Sequence, residues 1–199
     1  MRIFAIADLH LSFNDNIDKP MDKFGPGWEN HTERLKSNWE KMVTDDDIVL
    51  IPGDVSWALR IKEAMSDFEW IHSLPGRKVI SKGNHDLWWS RIKYLNSLYD
   101  DIIFLQNECY QVEGENIAIT ASRGWPYPGS DEYTEHDEKL YARELGRMQL
   151  GLDAAKKIAP DARIIACLHF PPAGPAGKET EFTRLLESYG VWKCVYGHL

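Results

Sequence analysis

The segment Lys78-Val79-Ile80-Ser81-Lys82-Gly83-Asn84-His85-Asp86 decides the fold, because an apolar run ends in a glycine turn that carries polar side chains. The run predicts a buried strand over Lys78–Lys82. Gly83 lacks a Cβ and allows a tight turn close to a ligand. Ligands of open α/β sheets bind outside the carboxyl ends of the strands. This turn therefore indicates one edge of a binding site.

Other predicted strands also have polar side chains at their carboxyl ends. They span Arg2–Ala7, Asp47–Pro52, Arg163–His169 and Val191–Tyr196. The side chains at their carboxyl ends are those of Asp8, His10, Asp54, His169 and His198. Each residue alone has an ordinary explanation, such as a turn or a helix N-cap. Together with Asn84 they predict that several strands deliver carboxylate, imidazole and amide groups to one rim.

These donor types favour a metal site. Carboxylates and imidazoles that are gathered away from water repel one another or stay desolvated unless a positive group compensates them. Oxygen and imidazole donors without a thiolate suit Mn, Fe, Zn, Co or a similar divalent ion. The amide oxygen of Asn84 adds a neutral ligand. His85 is expected to stay unligated and protonated, with Asp86 placed to hold its ring.

The rest of the pattern predicts an α/β fold. Helices are predicted at His31–Val43, Leu59–Ser73, Glu132–Ile158 and Glu179–Tyr189, and further strands at Ile102–Gln106, Cys109–Val112 and Asn116–Ala121. Gly146 and Gly151 weaken the middle of the longest helical pattern, so two helices are an alternative there. The order of elements predicts mixed sheets covered by helices, and we expect residues 1–199 to form a single domain.

Composition and charge exclude several classes of protein. The 199 residues are 43% hydrophobic with a formal net charge of −8, and such an acidic chain is a poor binder of nucleic acid. The three cysteines form no CxxC motif, which favours a reducing, cytoplasmic location. No apolar run reaches about 18 residues, so no membrane span is expected. The N-terminal apolar stretch is too short for a signal peptide.

The ordered motifs Asp8-x-His10, Gly53-Asp54, Gly83-Asn84-His85-Asp86, His169 and Gly197-His198 resemble those of the calcineurin-like metallophosphoesterase superfamily. The resemblance implies a four-layer α/β/β/α sandwich in which two mixed β-sheets pack face to face with helices outside. It also implies a centre of two divalent metal ions. By the same resemblance, His85 contacts the phosphate and acts as general acid, and Asp86 is its partner.

The resemblance also divides the ligands between the two ions. Asp8 and His10 are expected to bind the first ion, and Asp54 to bridge both. Asn84, His169 and His198 are expected to bind the second ion. The superfamily's last motif is Gly-His-x-His, whereas this sequence stops at Leu199, directly after Gly197-His198. We interpret the missing histidine as a sign that the domain is truncated at its C-terminal end.

These expectations predict a metal-dependent phosphoesterase. It would hydrolyse phosphomonoesters or phosphodiesters of a small compound with a hydroxide that the two metal ions activate. The alternatives are a non-catalytic metal-binding interaction module of the same fold and a nuclease or protein phosphatase of the same superfamily. The presence of Asp8, Asp54, Asn84 and His85 favours an enzyme, and the absence of a basic groove disfavours a nuclease.

Three further features have two interpretations each. Arg123 follows the predicted strand Asn116–Ala121 and is either a phosphate contact or a surface arginine. The long irregular segment 14–30 is either a lid over the site or a surface loop. Trp88 and Trp89 either wall a pocket or pack in the core.

Overall fold

The computed structural model describes residues 1–198, so the prediction about the position after Leu199 lies outside the described residues. The chain divides into two compact units, which are described separately below. The first comprises Met1–Ile80 and Asn84–Phe104, and the second comprises Ser81–Gly83 and the chain from Leu105 onward.

The first unit is built on a four-stranded sheet. Its strands, in spatial as well as chain order, are β1 (Ile3–Ala5), β2 (Ile48–Pro52), β3 (Arg77–Ser81) and β4 (Ile102–Phe104). Strands β1 and β2 pair in parallel, as do β3 and β4. Parallel neighbours need crossover connections, which here contain the helices α1 (His31–Met42), α2 (Ile61–His72) and α3 (Ile92–Leu95).

The core of this unit joins strand β2 to helices α1 and α2. Every residue of β2 is buried, as expected for a strand covered on both faces. Trp39 of α1 and Phe68 and Ile71 of α2 belong to the same apolar cluster. Trp88 is also buried in this cluster, which supports core packing over a pocket wall.

Helix α2 begins at Ile61 and not at the predicted Leu59. The carboxylate of Glu63 accepts hydrogen bonds from the backbone N–H groups of Leu59 (3.1 Å) and Arg60 (3.0 Å). It therefore satisfies backbone donors at the helix start and fixes the first turn after them.

The second unit contains the other sheet and the longest helix. Its strand order is β5 (Cys109–Gln111), β6 (Ile117–Ser122), β7 (Arg163–Leu168) and β8 (Lys193–Tyr196). Strands β5 and β6 form an antiparallel hairpin, whereas β6–β7 and β7–β8 are parallel. Helices α4 (Glu138–Ile158) and α5 (Glu181–Ser188) supply Met148, Leu152 and Phe182 to an apolar cluster with the sheet.

Helix α4 is continuous through Gly146 and Gly151, so the alternative of two helices is wrong. Its predicted start at Glu132 is also wrong, because the helix begins at Glu138. The carboxylate of Asp137 accepts hydrogen bonds from the N–H (2.8 Å) and the hydroxyl (2.7 Å) of Thr134 and closes a separate 3-10 turn before α4.

Two sheets, each with its own helices, confirm the predicted α/β class. Among the helices of residues 1–198, none is long and apolar enough to cross a membrane.

Candidate metal centre

The chain segments after β1 and β2 remain paired beyond the strand ends. The N–H of Asp8 donates to the carbonyl of Gly53 (3.1 Å), and the N–H of His10 donates to the carbonyl of Asp54 (3.0 Å). One ligand atom each of Asp8, His10 and Asp54 lies within 4.8 Å of the other two. Within the first unit, the structure therefore brings together three residues that the sequence predicts as metal ligands.

All three residues adopt the left-handed backbone conformation. The φ angles are 57° for Asp8, 46° for His10 and 52° for Asp54, and His198 of the second unit has φ 55°. This conformation costs a residue with a side chain about 1–2 kcal/mol, and it persists only where the surroundings enforce it. Such strain is typical of functional sites, and the strand patterns of the sequence do not indicate it.

The side chain of Asp54 is buried, with 2% of the residue exposed. One of its carboxylate oxygens accepts the backbone N–H of His85 at 2.9 Å. The other lies 3.9 Å from Nε2 of His10. Asp54 thus links the turn after β3 to the predicted ligand His10, and Asn84 of that turn is half-buried.

Asp86 supports the loop that carries Asp54. Its carboxylate accepts hydrogen bonds from the N–H groups of Asp54 (2.9 Å) and Val55 (2.9 Å) and from the indole of Trp88 (3.1 Å). No local pattern indicates this role, because Asp54 and Val55 lie far from Asp86 along the chain. Its expected role as the partner of the His85 ring stays a prediction.

Trp57 packs against two predicted site residues. Its ring stacks on His10 with centroids 4.7 Å apart and an interplanar angle of 19°, and it lies 4.5 Å from the ring of His85. The rings of His10 and His85 are 5.8 Å apart. These mutual contacts restrict both imidazoles. Sequence reasoning missed Trp57, although its place shortly after Asp54 was a usable signal.

The irregular segment 14–30 contacts the same rings. The sulfur of Met21 accepts a hydrogen bond from the Trp57 indole at 3.2 Å, and the Lys19 ammonium lies 5.6 Å from the Trp57 ring. The Trp28 ring meets His10 edge-on at 5.9 Å. Of the two interpretations of this segment, these contacts favour a cover over the predicted site.

Asp67 and Ser56 hold the far end of the loop that carries Asp54. The carboxylate of Asp67 accepts hydrogen bonds from the Ser56 hydroxyl and from the N–H of Phe13 at 2.8 Å. Burial raises the pKa of Asp67, and these hydrogen bonds oppose that rise. Asp67 lies on α2 and was not singled out from the sequence.

The predicted ligands His169 and His198 lie close together within the second unit. His169 is fully buried at the end of β7, and its ring centroid lies 5.0 Å from that of His198. The N–H of Gly197 donates to the carbonyl of His169 at 3.1 Å, so the ends of β7 and β8 stay paired. Nε2 of His198 lies 3.6 Å from the Glu132 carboxylate.

Arg123 helps to position His169 through its backbone. Its carbonyl accepts the N–H groups of His169 and Phe170, both at 3.0 Å. Its guanidinium stacks on Trp125 (4.1 Å) and pairs with the buried Glu144 (3.4 Å). Burial lowers the pKa of Arg123, and Glu144 opposes this change. A phosphate contact by Arg123 stays a prediction.

The donors present fit divalent metal ions. Asp8, His10 and Asp54 combine carboxylate oxygens and an imidazole without any thiolate, which is the donor set of Mn, Fe and Zn sites. His72, Asp100 and Asp101 also lie close together. In that second group, however, Asp101 is already paired with His72 and with the buried Lys78, so its charge is compensated by the protein.

A comparison with protein families decides the assignment. The model of the calcineurin-like phosphoesterases matches residues 1–199. The chain belongs to the calcineurin-like phosphoesterase family. This membership confirms the resemblance of the strand-end motifs and supports hydrolysis of phosphoesters in general.

Curated relatives of this calcineurin-like phosphoesterase occur in phages. It is 26% identical to the Gene 66 protein of Mycobacterium phage D29 over 109 residues, which are 48% of this chain and 52% of that protein. It is 32% identical to the Gene 66 protein of Mycobacterium phage L5 over 80 residues, 40% of this chain and 37% of that protein. The match thus spans about half the length, or less, of these relatives.

One solved structure shows the same fold. Phosphopantetheinyl hydrolase from Mycobacterium tuberculosis aligns with a TM-score of 0.58 and 16% identity, over 99% of this chain and 82% of that chain. A protein of unknown function from Aquifex aeolicus aligns with a TM-score of 0.46 and 18% identity, over 98% and 88% of the two chains. At these identities, the first likeness concerns the fold.

Proposed function

We propose that this calcineurin-like phosphoesterase hydrolyses phosphomonoesters or phosphodiesters of a small compound with two divalent metal ions, drawn from Mn, Fe, Zn and Co. The observation that carries the proposal is the cluster of Asp8, His10 and Asp54 within 4.8 Å, on left-handed backbone, in a member of a phosphoesterase family.

The proposed ligands follow the donor chemistry and the family resemblance. Asp8 and His10 would hold the first ion, and Asp54 would serve both. Asn84, His169 and His198 would hold the second. When bound, two such ions lower the pKa of a water molecule and offset negative charge on the phosphate.

The chain's own residues supply orientation and a proton. The backbone N–H of His85 holds one oxygen of Asp54, which fixes the direction of that carboxylate. Asp86 fixes the loop behind it. The His85 side chain is exposed and packs against Trp57, so its ring can approach an ester. We assign it the transfer of a proton to the leaving oxygen, typically worth about 10²–10⁴ in rate.

Two alternative functions have less support. A nuclease is disfavoured by the net charge of −8, because binding of a polyanion relies on basic groups. A non-catalytic module would not need His85 held beside the donor cluster. We also propose a cytoplasmic location, since all three cysteines are free thiols.

Metal removal tests the proposal. Protein is treated with a chelator, its metal content is measured by elemental analysis, and turnover of 4-nitrophenyl phosphate and bis(4-nitrophenyl) phosphate is followed. We expect turnover to disappear with the metal and to return with added Mn²⁺. Full turnover by metal-free protein would contradict the proposal. The variant Asp161→Asn, at an exposed position outside segment 14–30, serves as a control that alters the charge but not the donors.

A further inference from the structure

A cleft of about 320 Å³ opens in the second unit beside His198. It lies outside the predicted donor set, apart from that one histidine. Its walls are mainly apolar and aromatic. They include Tyr127, Ser130, Glu132, Phe170, Gly174 and His198.

Tyr127 forms a fixed flat wall of this cleft. Its ring approaches Gly174 so closely that a Cβ there would stand 3.2 Å from the Tyr127 Cζ atom. The Lys178 ammonium lies 5.9 Å from the ring centroid, and the N–H of Gly174 donates to the carbonyl of Lys178 at 2.9 Å. Because the ring is held in place before a ligand arrives, little conformational entropy is lost when it contacts one.

The walls do not suit a phosphate group. Phosphate oxygens are bound by Arg, Lys and backbone N–H donors. Among the described residues that line the cleft, none is Arg or Lys, and three are prolines, which have no N–H. The ring of Phe170, 4.3 Å from that of His198, continues the apolar surface up to the predicted ligand. The cleft is therefore suited to an uncharged ring next to the phosphate.

The polar groups of the cleft can accept hydrogen bonds. Glu132 is the acidic residue among the described lining residues, and its side chain is 64% exposed. The hydroxyl oxygen of Ser130 is buried and has no hydrogen-bond partner within the described chain. A ligand that presents a donor, above all a cationic amine, matches this charge.

We propose that this cleft binds the organic part of the phosphoester substrate, namely an aromatic or heteroaromatic ring that carries an amine. The ring lies against Tyr127 and Phe170, and the amine pairs with Glu132. This inference rests on the proposed function, since the ring is placed beside the phosphate that His198 is expected to serve through its metal ion.

Kinetics of the metal-loaded protein with three esters test the proposal. The esters are 4-(aminomethyl)phenyl phosphate, its isostere without the amine, 4-ethylphenyl phosphate, and methyl phosphate, which has no ring. We expect Tyr127→Ala to raise KM about fivefold to tenfold for both aryl esters and to leave methyl phosphate unchanged. Tyr127→Phe keeps the ring and its affinity, and Tyr94→Ala removes an exposed ring elsewhere as a control.

Glu132→Gln tests the second contact. We expect it to raise KM about fivefold for the aminomethyl ester and to leave the isostere unchanged. Because Glu132 also lies beside His198, a mere effect on metal binding would weaken turnover of all three esters equally. Such an equal loss would overturn the assignment of Glu132 to the amine. Glu135→Gln removes a nearby exposed charge that does not line the cleft.

The outcomes separate this proposal from the proposed function. Hydrolysis of the esters with aryl KM values that Tyr127→Ala leaves unchanged would overturn the cleft assignment while phosphoesterase activity stands. If none of the esters is hydrolysed, the proposed function fails, and 4-(aminomethyl)phenol is titrated by calorimetry. Binding that Tyr127→Ala abolishes supports the cleft, and no binding to the wild type overturns it.

Discussion

The Asp86 carboxylate accepts the backbone N–H of Asp54 at 2.9 Å, so a residue after β3 fixes the loop after β2. The same carboxylate takes the N–H of Val55 at 2.9 Å and that of Ser56 at 3.3 Å. These bonds compensate the left-handed backbone of Asp54 and hold its side chain within reach of His10. The buried carboxylate is thus part of the scaffold of the predicted metal site.

Asp86→Asn should destabilise the protein, because the amide N–H₂ of asparagine would face backbone donors. We expect a loss of about 1–3 kcal/mol in the free energy of unfolding, measured with urea. Weaker metal binding should accompany it. The exposed Asp15→Asn is the matched control. Equal stability of the two variants would show that the Asp86 hydrogen bonds do not hold the loop.

Asp54→Asn and His85→Ala should separate metal binding from proton transfer. Asp54→Asn removes the charge that is expected to bridge the ions, so elemental analysis should find both ions lost.

His85→Ala should keep the metal content and lower kcat by about 10²–10⁴, most strongly for esters with poor leaving groups. Wild-type kcat of His85→Ala on such an ester would exclude His85 as the acid.

Trp57→Ala should weaken metal binding, since the indole stacks on His10 at 4.7 Å. Loss of a group that orients a metal ligand typically costs about 10–100-fold in affinity, measurable by calorimetry with Mn²⁺. Trp57→Phe should retain most of the affinity. The control Trp192→Ala removes a half-exposed indole of the second unit. Unchanged affinity in Trp57→Ala would contradict the positioning role.

Asp67 should give the stability a defined pH dependence. Burial raises its pKa in the folded state above the ordinary 3.8, so the folded protein binds this proton more tightly than the unfolded chain. The stabilisation that protonated Asp67 gives the folded state is fully present below pH 3.8. It is lost as the pH rises through the raised pKa.

The difference in unfolding free energy between wild type and Asp67→Asn should therefore fall as the pH increases. Urea denaturation from about pH 3 to about pH 8 measures it. For the exposed Asp15→Asn, the same difference should vary far less. A difference for Asp67→Asn that rises with pH would reverse the sign assigned to burial.

The two glycines of α4 should respond oppositely to alanine. A Cβ at Gly146 meets no atom within 4 Å, so Gly146→Ala should stabilise the helix by about 0.5–1 kcal/mol. A Cβ at Gly151 would stand 2.0 Å from the Thr120 hydroxyl and 3.1 Å from the Glu108 carbonyl. Gly151→Ala should therefore cost about 1–3 kcal/mol. Thermal unfolding of the pair tests this, and stabilisation by both changes would contradict it.

The positions of the strands could be predicted from the sequence, and so could the polar residues that follow them as candidate donors. Apolar runs that end in Gly-Asn-His-Asp or Gly-Asp are local patterns, and β2 and β7 lie within a residue of their predicted bounds. Helix starts were less accurate, because caps such as Glu63 and Asp137 act through a few individual hydrogen bonds. Periodicity does not record such bonds.

By itself, the sequence determined which groups are available at the strand ends, because side-chain chemistry and alternation of polarity are properties of neighbouring residues. The tertiary structure decided how they are held. The bonds of Asp86 to the Asp54 loop, the stacking of Trp57 on His10 and the close contact of Gly151 with Thr120 join residues far apart along the chain. Such contacts exist only once strands and helices have packed, and no local pattern specifies them.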